Sequence, residues 1–533
     1  MLNAATWLMN LGVAAGAMLA GRSLVHYFQL ESYQFPGYYR TLKRNTARAV
    51  LPGCLMTLAA VVAALLHGVA AGSEGWFVQL LLGVLSGAAA AGGGFLIGKV
   101  TAVRKAKKAL VFTPRVKRLY IVGVIVYAVV CFALGAVWTY LPAVFPLLLP
   151  AWLALAGLIA WPIEKLISEM YFRDAQQRLK ERPDLIKIGI TGSYGKTSVK
   201  FILGTLLSEK YQTLVTPSSF NTPMGVTRIV REKLMPTHQV FVAEMGARHV
   251  GDIKELCRLV HPKYGVLTSV GPQHLDTFKT IERIKKTKYE LMDAIPKDGC
   301  CFFPDDGAIC RELHDKTKKH KRLCCLTGGD AAVWAEDVRV SAMGSTFMLC
   351  TKDGRIECST KLLGEHNIQN VLLAATVCLE LGLSLRQLQR GIAKLVPVEH
   401  RLQLLNHPGG MTVIDDAFNS NPRGAEAALR VLGAFEGHRR IIITPGMVEL
   451  GEGEAEFNRA FGEKMAAATD IAILVGRKHT APIAEGLKAA GFPEDNLHIT
   501  ASLTEAAGLL RKIGRSGDVV LFENDLPDNY SEQ

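Results

Sequence analysis

The chain has 533 residues, room for roughly three or four domains at about 100–200 residues each, so a single small binding module is excluded. Apolar residues make up 49% against 20% charged, which excludes disorder for the bulk of the chain. The balance of 61 Lys+Arg against 48 Asp+Glu, a net +13, suggests a nucleic-acid binder only until the excess is located. Residues 1–162 hold 13 basic residues and two acidic ones, Glu31 and Glu74; the remainder is nearly neutral.

In that first region, stretches free of Asp, Glu, Lys and Arg run from Met1 to Gly21, Ala49 to Ser73, Gly75 to Gly98 and Leu119 to Ile163. A helix needs about 20 apolar residues to cross a bilayer. Three stretches fit one crossing each, and the last fits two with a break at Leu141-Pro142-Ala143-Val144-Phe145-Pro146, giving five expected spans. The basic residues sit in two loops: Arg22, Arg40, Lys43, Arg44 and Arg48 in the first, Lys99 through Arg118 in the second. By the positive-inside rule these loops are cytoplasmic, the N-terminus is outside, and everything after the fifth span is inside. The charge therefore reads as topology, with a lipid bilayer and not nucleic acid as the partner. A cleaved signal peptide fits the first stretch poorly, since it lacks a basic n-region. Gly12 with Gly16, and Gly83 with Gly87, make small-xxx-small patterns that permit close helix approach. The eleven cysteines include no CxxC and no Cys/His set at zinc spacing, and they read as small, reduced, apolar residues.

Glu164 to Arg182 is a charged amphipathic stretch, read as a helical connector that Pro183 ends. Leu185 to Ile190 suits a buried strand; Thr191-Gly192-Ser193-Tyr194-Gly195-Lys196-Thr197-Ser198 follows, and then the helical pattern Val199 to Leu207. Strand, glycine loop and helix in that order make a phosphate loop. Gly192, Ser193, Gly195, Lys196, Thr197 and Ser198 are its ATP-binding candidates: backbone N–H groups close on phosphate oxygens, Lys196 reaches the terminal phosphates, and Thr197 binds Mg²⁺. The usual motif has Gly or Ala where this chain has Ile190. The narrower TGxxGKTS form resembles the ATP loop of the Mur ligases, the amide-forming enzymes of peptidoglycan precursor synthesis.

Downstream segments resemble the MurF branch of that family. Ser218-Ser219-Phe220-Asn221-Thr222-Pro223-Met224-Gly225-Val226 is similar to its Asn-Thr-Pro-x-Gly segment. A strand at Val240 to Ala243 ends in Glu244, a carboxylate placed at a parallel strand's C-terminal edge where it can hold Mg²⁺. Tyr264 to Thr268 repeats that geometry and leads to His274. The helix Ile281 to Ala294 carries Lys285, Lys286, Lys288 and Glu290; by pattern alone this is a solvated basic face. The resemblance implies that Lys288 is carbamylated, so that a carboxylate-like oxygen joins His274 on a second Mg²⁺. The basic run His314 to Arg322 reads as a solvated helix or loop.

At Leu363-Gly364-Glu365-His366-Asn367-Ile368-Gln369-Asn370 an apolar helix, Val371 to Leu381, begins; the resemblance assigns Asn367 to the adenine, with Asn370 one turn along, and helix capping is the alternative for Asn367. Arg401, in Glu399-His400-Arg401-Leu402-Gln403, corresponds to an arginine that reaches the phosphates. A strand at Met411 to Ile414 leads into Asp415-Asp416-Ala417-Phe418-Asn419-Ser420-Asn421-Pro422, similar to the branch's DDxYNANP with Phe418 for tyrosine; Asp416 would bind the ribose. Strand Arg440 to Thr444 precedes Pro445-Gly446-Met447-Val448-Glu449-Leu450-Gly451, similar to GDMxELG with Gly446 for Asp. Strands Ile471 to Val475 and Val519 to Phe522 complete an α/β unit.

The expected architecture is an α-helical membrane region (1–163), a linker helix (164–182), a P-loop Mur-ligase central domain (183–398) and a Rossmann-like α/β C-terminal domain (399–533). The resemblance fails at both ends. Five spans stand where the branch has a UDP-sugar domain, and Glu523-Asn524-Asp525-Leu526-Pro527-Asp528 stands where it has a Lys-Gly-Ser-Arg turn. It implies an ATP-dependent ligase working through an acyl phosphate, with two Mg²⁺, Lys196 and Arg401 neutralising charge. The acceptor would be a carboxylate-bearing muropeptide and the amine D-Ala-D-Ala or a relative. The alternatives are a lipid-linked or other polymer acceptor and, third, a non-catalytic ATP-binding membrane scaffold. The implied location is the cytoplasmic membrane of a bacterium.

Overall fold

A computed structural model describes residues 4–70, 75–103, 109–138, 141–218, 220–341, 343–406, 409–418 and 420–526. Of the features above, Met1, Ser73, Glu74, Arg104, Lys105, Lys107, Lys108, Ser219, Asn419, Pro527 and Asp528 lie outside the described residues. The chain forms two compact units, Met1–Glu169 and Met170–Gln533.

The first unit is helical. By length and composition, four helices suffice to cross a membrane, Thr46–Gly68, Trp76–Val100, Pro114–Gly135 and Phe145–Lys180. Ala4–Ala20 and Arg22–Leu30, bent by 46°, make a fifth if the pair is one span. The expected first span is thus longer and broken: Gly21 interrupts it, and the helix resumes with a strongly amphipathic segment. The Pro-rich break before the last span is a pair of 3₁₀ turns, Leu141–Ala143 and Phe145–Leu148. The glycine patterns do pack: a Cβ on Gly12, Gly16, Gly83 or Gly87 would collide with the backbone of Gly87, Ala90, Ala5 or Leu8 across the helix pair, as one on Gly94 would with Gly16. The span and the connector expected as separate pieces are one helix, Leu149–Lys180, with Pro162 inside it. Glu164, in the turn after that proline, is gripped by Arg118 at 2.6 and 2.8 Å.

The second unit has two sheets. The larger runs in the order Thr213–Val215, Val240–Glu244, Ile186–Thr191, Tyr264–Leu267, Cys300–Pro304, Lys321–Cys325, Val333–Ser341, Gly344–Thr351, Gly354–Thr360. Its first seven strands are parallel and the last two pairings antiparallel. Strand side chains alternate between faces, so Ile188, Ile190, Val240 and Val242 join one core while Phe241, Ala243 and Leu267 join the other. Strands buried on both faces read as unbroken apolar runs, which is why the sequence located them. The basic run His314–Arg322 is not one solvated piece: it closes the helix Ile309–Lys316 and opens the strand Lys321–Cys325.

The smaller sheet runs Gln403–Asn406, Thr412–Asp416, Val519–Glu523, Arg440–Thr444, Ile471–Val475, Leu497–Thr500. Only its first pairing is antiparallel. In register, Asp416 lies opposite Glu523. Parallel sheets present loop residues at their strands' carboxyl ends, and both sheets do so with acidic and glycine-rich segments.

Candidate active site

The phosphate loop leaves the strand Ile186–Thr191 and enters the helix Lys196–Leu207. Gly195 caps that helix at φ 78°, a left-handed conformation that disfavours a side chain. At Gly192 a Cβ would strike the Thr268 hydroxyl. The loop is held by its neighbour after the strand Tyr264–Leu267: Ser193 N donates to Ser269 O at 2.9 Å, and Tyr194 N donates to Ser269 Oγ at 2.7 Å. The Ser193 hydroxyl donates to Gly271 O at 2.9 Å and accepts from Gly271 N at 3.0 Å. With both donors spent inside the protein, Ser193 shapes the loop, whereas the sequence had offered it as a phosphate ligand. Ser198 lies in the first helical turn, partly buried.

Lys196 Nζ donates to the carbonyls of Gly192 and Ser193 at 2.6 and 3.0 Å. Burial pulls its ammonium down to about 8, against the attraction of Glu244. Glu244, at 1% exposure, is the hub. Its Oε2 accepts from Thr197 Oγ1 at 3.1 Å and from Lys200 Nζ at 2.9 Å, and its Oε1 accepts from Asn221 Nδ2 at 3.0 Å. Lys200 has no exposed surface and also donates to Ser218 O at 2.6 Å. Sequence reading missed Lys200; its placement one turn after Lys196 is the signal that was available. Thr197 and Glu244, hydroxyl and carboxylate oxygens side by side, are the oxygen donors a Mg²⁺ ion takes.

Lys288 is not part of a solvated face. It is 2% exposed, no described residue pairs with it, and burial together with Lys196 holds its amine well below the ordinary lysine range. On the same helix Lys285 is paired with Glu312 at 2.5 Å. His274, at φ 51°, turns its Nδ1 onto Glu449 Oε2 at 2.5 Å, and Leu275 N donates to Glu449 O at 3.1 Å. A carboxylate on one imidazole nitrogen fixes the ring and leaves Nε2 as a ligand. Glu449 is the second missed residue, present in the sequence only as part of a turn motif.

From the helix Glu365–Glu380, Asn370 packs against the loop, 3.0 Å from where a Gly195 Cβ would sit. Asn367 is buried, donating to Leu363 O at 2.8 Å and accepting from Asn370 at 3.4 Å, so part of its amide serves the helix start. Arg401 lies over the Phe418 ring at 4.6 Å. Asp416 Oδ1 accepts from Leu402 N at 3.1 Å. Beside it Glu523 is buried, hydrogen-bonded by the Ser420 hydroxyl and with Oε2 unpartnered. Burial raises both carboxyls, and each bears on the other. A narrow crevice lined by Gln273, His274, Ser420, Val448 and Glu449 joins the two sets of strand ends.

Comparison with known proteins matches this arrangement to the Mur ligase middle domain over residues 190–378 and to the Mur ligase glutamate ligase domain over residues 400–523. The chain belongs to the Mur ligase family. A Mycobacterium tuberculosis relative named UDP-N-acetylmuramoyl-tripeptide–D-alanyl-D-alanine ligase is 34% identical over 358 residues, 63% of this chain and 69% of the relative. An Escherichia coli relative of the same name is 27% identical over 342 residues, 62% of this chain and 75% of the relative. The solved MurF from Acinetobacter baumannii superposes with a TM-score of 0.61 at 25% identity, covering 68% of this chain and 78% of that one. MurF from Thermotoga maritima, solved with ADP, shares the fold at a TM-score of 0.60 and 23% identity, covering 67% and 80%. The apolar helices that precede residue 190 lie outside both family matches. Mur ligases are ATP-dependent ligases, and this chain matches the family's middle and glutamate ligase domains.

Proposed function

We propose that the chain forms an amide bond at the expense of ATP, joining D-Ala-D-Ala or a related amine to the carboxylate of a muropeptide. The carboxylate oxygen takes the γ-phosphoryl group and ADP leaves. The amine nitrogen then attacks the acyl carbon, the bond to phosphate breaks, and the amine gives up its proton. The observation that carries this reading is Thr197 bonded to Glu244 beside Lys196, with His274 and the buried Lys288 near enough for the Lys196 charge to bear on both. Lys196 steadies the phosphates, Arg401 supports them from the C-terminal domain, and Asp416 takes the ribose. Asn367 and Asn370 flank the adenine side. No protein nucleophile is needed, because ATP activates the acid.

Thr197 with Glu244 would hold one Mg²⁺, and His274 with a carbamylated Lys288 a second. Two such ions would neutralise charge on the transferred phosphoryl group. An uncharged lysine amine adds to CO₂, giving a carbamate and releasing a proton; a buried lysine with no ion-pair partner among the described residues, its amine held low by burial, supports that chemistry here. A pure ATP-binding scaffold has no use for this second set of ligands. Catalysis in the cytoplasm, from an anchor in a bacterial membrane with its N-terminus outside, follows from the basic loops.

A lipid-linked acceptor is the second reading, favoured by one observation: four or five membrane-length apolar helices stand ahead of the matched domains. The experiment is phosphate release by the detergent-solubilised full chain with ATP, Mg²⁺ and a panel of amines, against UDP-linked and lipid-linked muropeptides. Release only with a UDP-linked tripeptide and D-Ala-D-Ala supports the first reading, and release only with a lipid-linked partner the second. Wild-type ATP turnover in Lys196→Ala would overturn both.

A further inference from the structure

Away from the nucleotide crevice, Cys300, His320 and Glu380 place one sulfur, one nitrogen and one oxygen within 4.8 Å of one another. Three separate elements bring them together. Cys300 opens the strand Cys300–Pro304, and its thiol is buried on the face covered by the helix Glu365–Glu380. His320 sits at the entry to the neighbouring strand, pinned by Cys301 N donating to its carbonyl at 2.9 Å. Glu380 is the last residue of the covering helix. Its Oε2 accepts from Arg322 Nε at 2.9 Å, while Oε1 faces His320 Nδ1 at 3.6 Å.

Zinc-class ions take such mixed donors at about 2.0–2.3 Å in tetrahedral geometry, so the three ligand atoms need to draw in only slightly. The exposed His320 side chain has the freedom to do that. We propose that Cys300, His320 and Glu380 bind one divalent transition-metal ion of the zinc class, with the fourth position open to water. Sulfur and imidazole select zinc or cobalt over magnesium, so the site does not compete for the ion used with ATP. Binding displaces the Cys300 proton to solvent. Arg322 stays on the outer carboxylate oxygen and is a cation that opposes occupancy at this edge. At 1.5 Å per residue the helix carries Glu380 about 20 Å from Asn367, so the ion ties down the helix's far end and takes no part in ligation.

Cobalt is the probe. The chelator-treated full chain in detergent, titrated with Co²⁺, should bind one ion with a thiolate-to-cobalt charge-transfer band in the near ultraviolet. Zn²⁺ should erase the band and excess Mg²⁺ should not. Cys300→Ser should remove it, and His320→Ala, a change at an exposed side chain, should weaken binding by roughly tenfold or more, with ATP turnover unchanged in both. A wild-type protein without the band, a band that survives Cys300→Ser, or unaltered affinity in His320→Ala overturns the proposal.

Discussion

Lys200→Met removes one charge from a fully buried pair while keeping most of the side chain's length. Burial pushes the Glu244 carboxyl up, and Lys200 and Lys196 more than offset it, holding the group below the ordinary carboxylate range. At 2.9 Å the Lys200 attraction is about 6 kcal/mol for an effective dielectric near 20, and breaking one side of a buried pair costs about 3–5 kcal/mol in practice. Losing that attraction leaves burial less opposed and raises the Glu244 carboxyl. The carboxyl then keeps its proton over more of the acidic range and offers Mg²⁺ a weaker ligand. Phosphate release by the solubilised full chain, followed from pH 6 to 9 across a Mg²⁺ titration, should show an acidic limb moved upward and a larger half-saturating Mg²⁺ concentration, with partial recovery at high pH. Lys200→Met with a wild-type pH profile and Mg²⁺ dependence would show that Glu244 is not tuned by Lys200, and the metal role assigned to Glu244 would lose its physical basis.

Lys288→Ala should be nearly inactive and partly restored by acetate at high concentration, while Lys285→Ala, which loses its pairs with Glu312 and Glu282, should keep wild-type rates; full activity in Lys288→Ala refutes the carbamate. Glu449→Gln keeps the shape beside His274 and removes its charge, so half-saturating Mg²⁺ should rise by roughly 10–100-fold, and an unchanged value refutes the orienting role. Burial holds the Glu523 carboxyl well above its ordinary 4.5, so above that pH the unfolded chain releases a proton the folded chain keeps. Stability then falls by up to about 1.4 kcal/mol per pH unit until the folded group ionises; Glu523→Gln should flatten that decline and raise the denaturation midpoint at pH 7. Gly94→Leu should force apart Ala4–Ala20 and Trp76–Val100 and lower the thermal midpoint in detergent, since the colliding atoms are backbone; an unchanged midpoint refutes the close packing.

What the sequence made legible was local. The phosphate loop was readable because strand, glycines and helix start fall within about two dozen residues, and Ile281–Ala294, Arg440–Thr444 and Ile471–Val475 match their expected bounds because apolar periodicity needs no partner to be seen. Lys200 and Glu449 were hidden because each matters through a residue that is distant in the chain, Glu244 or His274. The Cys300, His320 and Glu380 cluster shows none of the short spacings that mark zinc sites, since its members come from a strand, the turn entering the next strand, and a helix. Ser193 looked like a phosphate ligand because a loop pattern does not reveal which donors the fold has already used. The solvated face expected for Lys288 failed for the same reason: helical spacing places a residue on a face, and only packing decides what covers that face.

The two domains of the second unit close their cores separately. One pair of clusters is built from the central domain with Phe172, Ala175 and Leu179 of the preceding helix, and another, Leu363 apart, from the C-terminal domain. Beside the apolar Leu363, polar contacts cross between them: His274 to Glu449, Leu275 N to Glu449 O, and Arg248 to Glu449 at 3.7 Å. The connecting segment contains His400 and Leu402 at φ 59° and 46°, a left-handed path that non-glycine residues adopt only when their surroundings impose it. The proposed phosphate and metal ligands Lys196, Thr197 and Glu244 thus belong to one domain, and Arg401 and Asp416 to the other. A small polar junction is inexpensive to part compared with an apolar one. The chemistry proposed here needs both sets of side chains around one phosphoryl group, and Glu449 of the C-terminal domain, bonded to the proposed metal ligand His274, is a contact that helps bring them together.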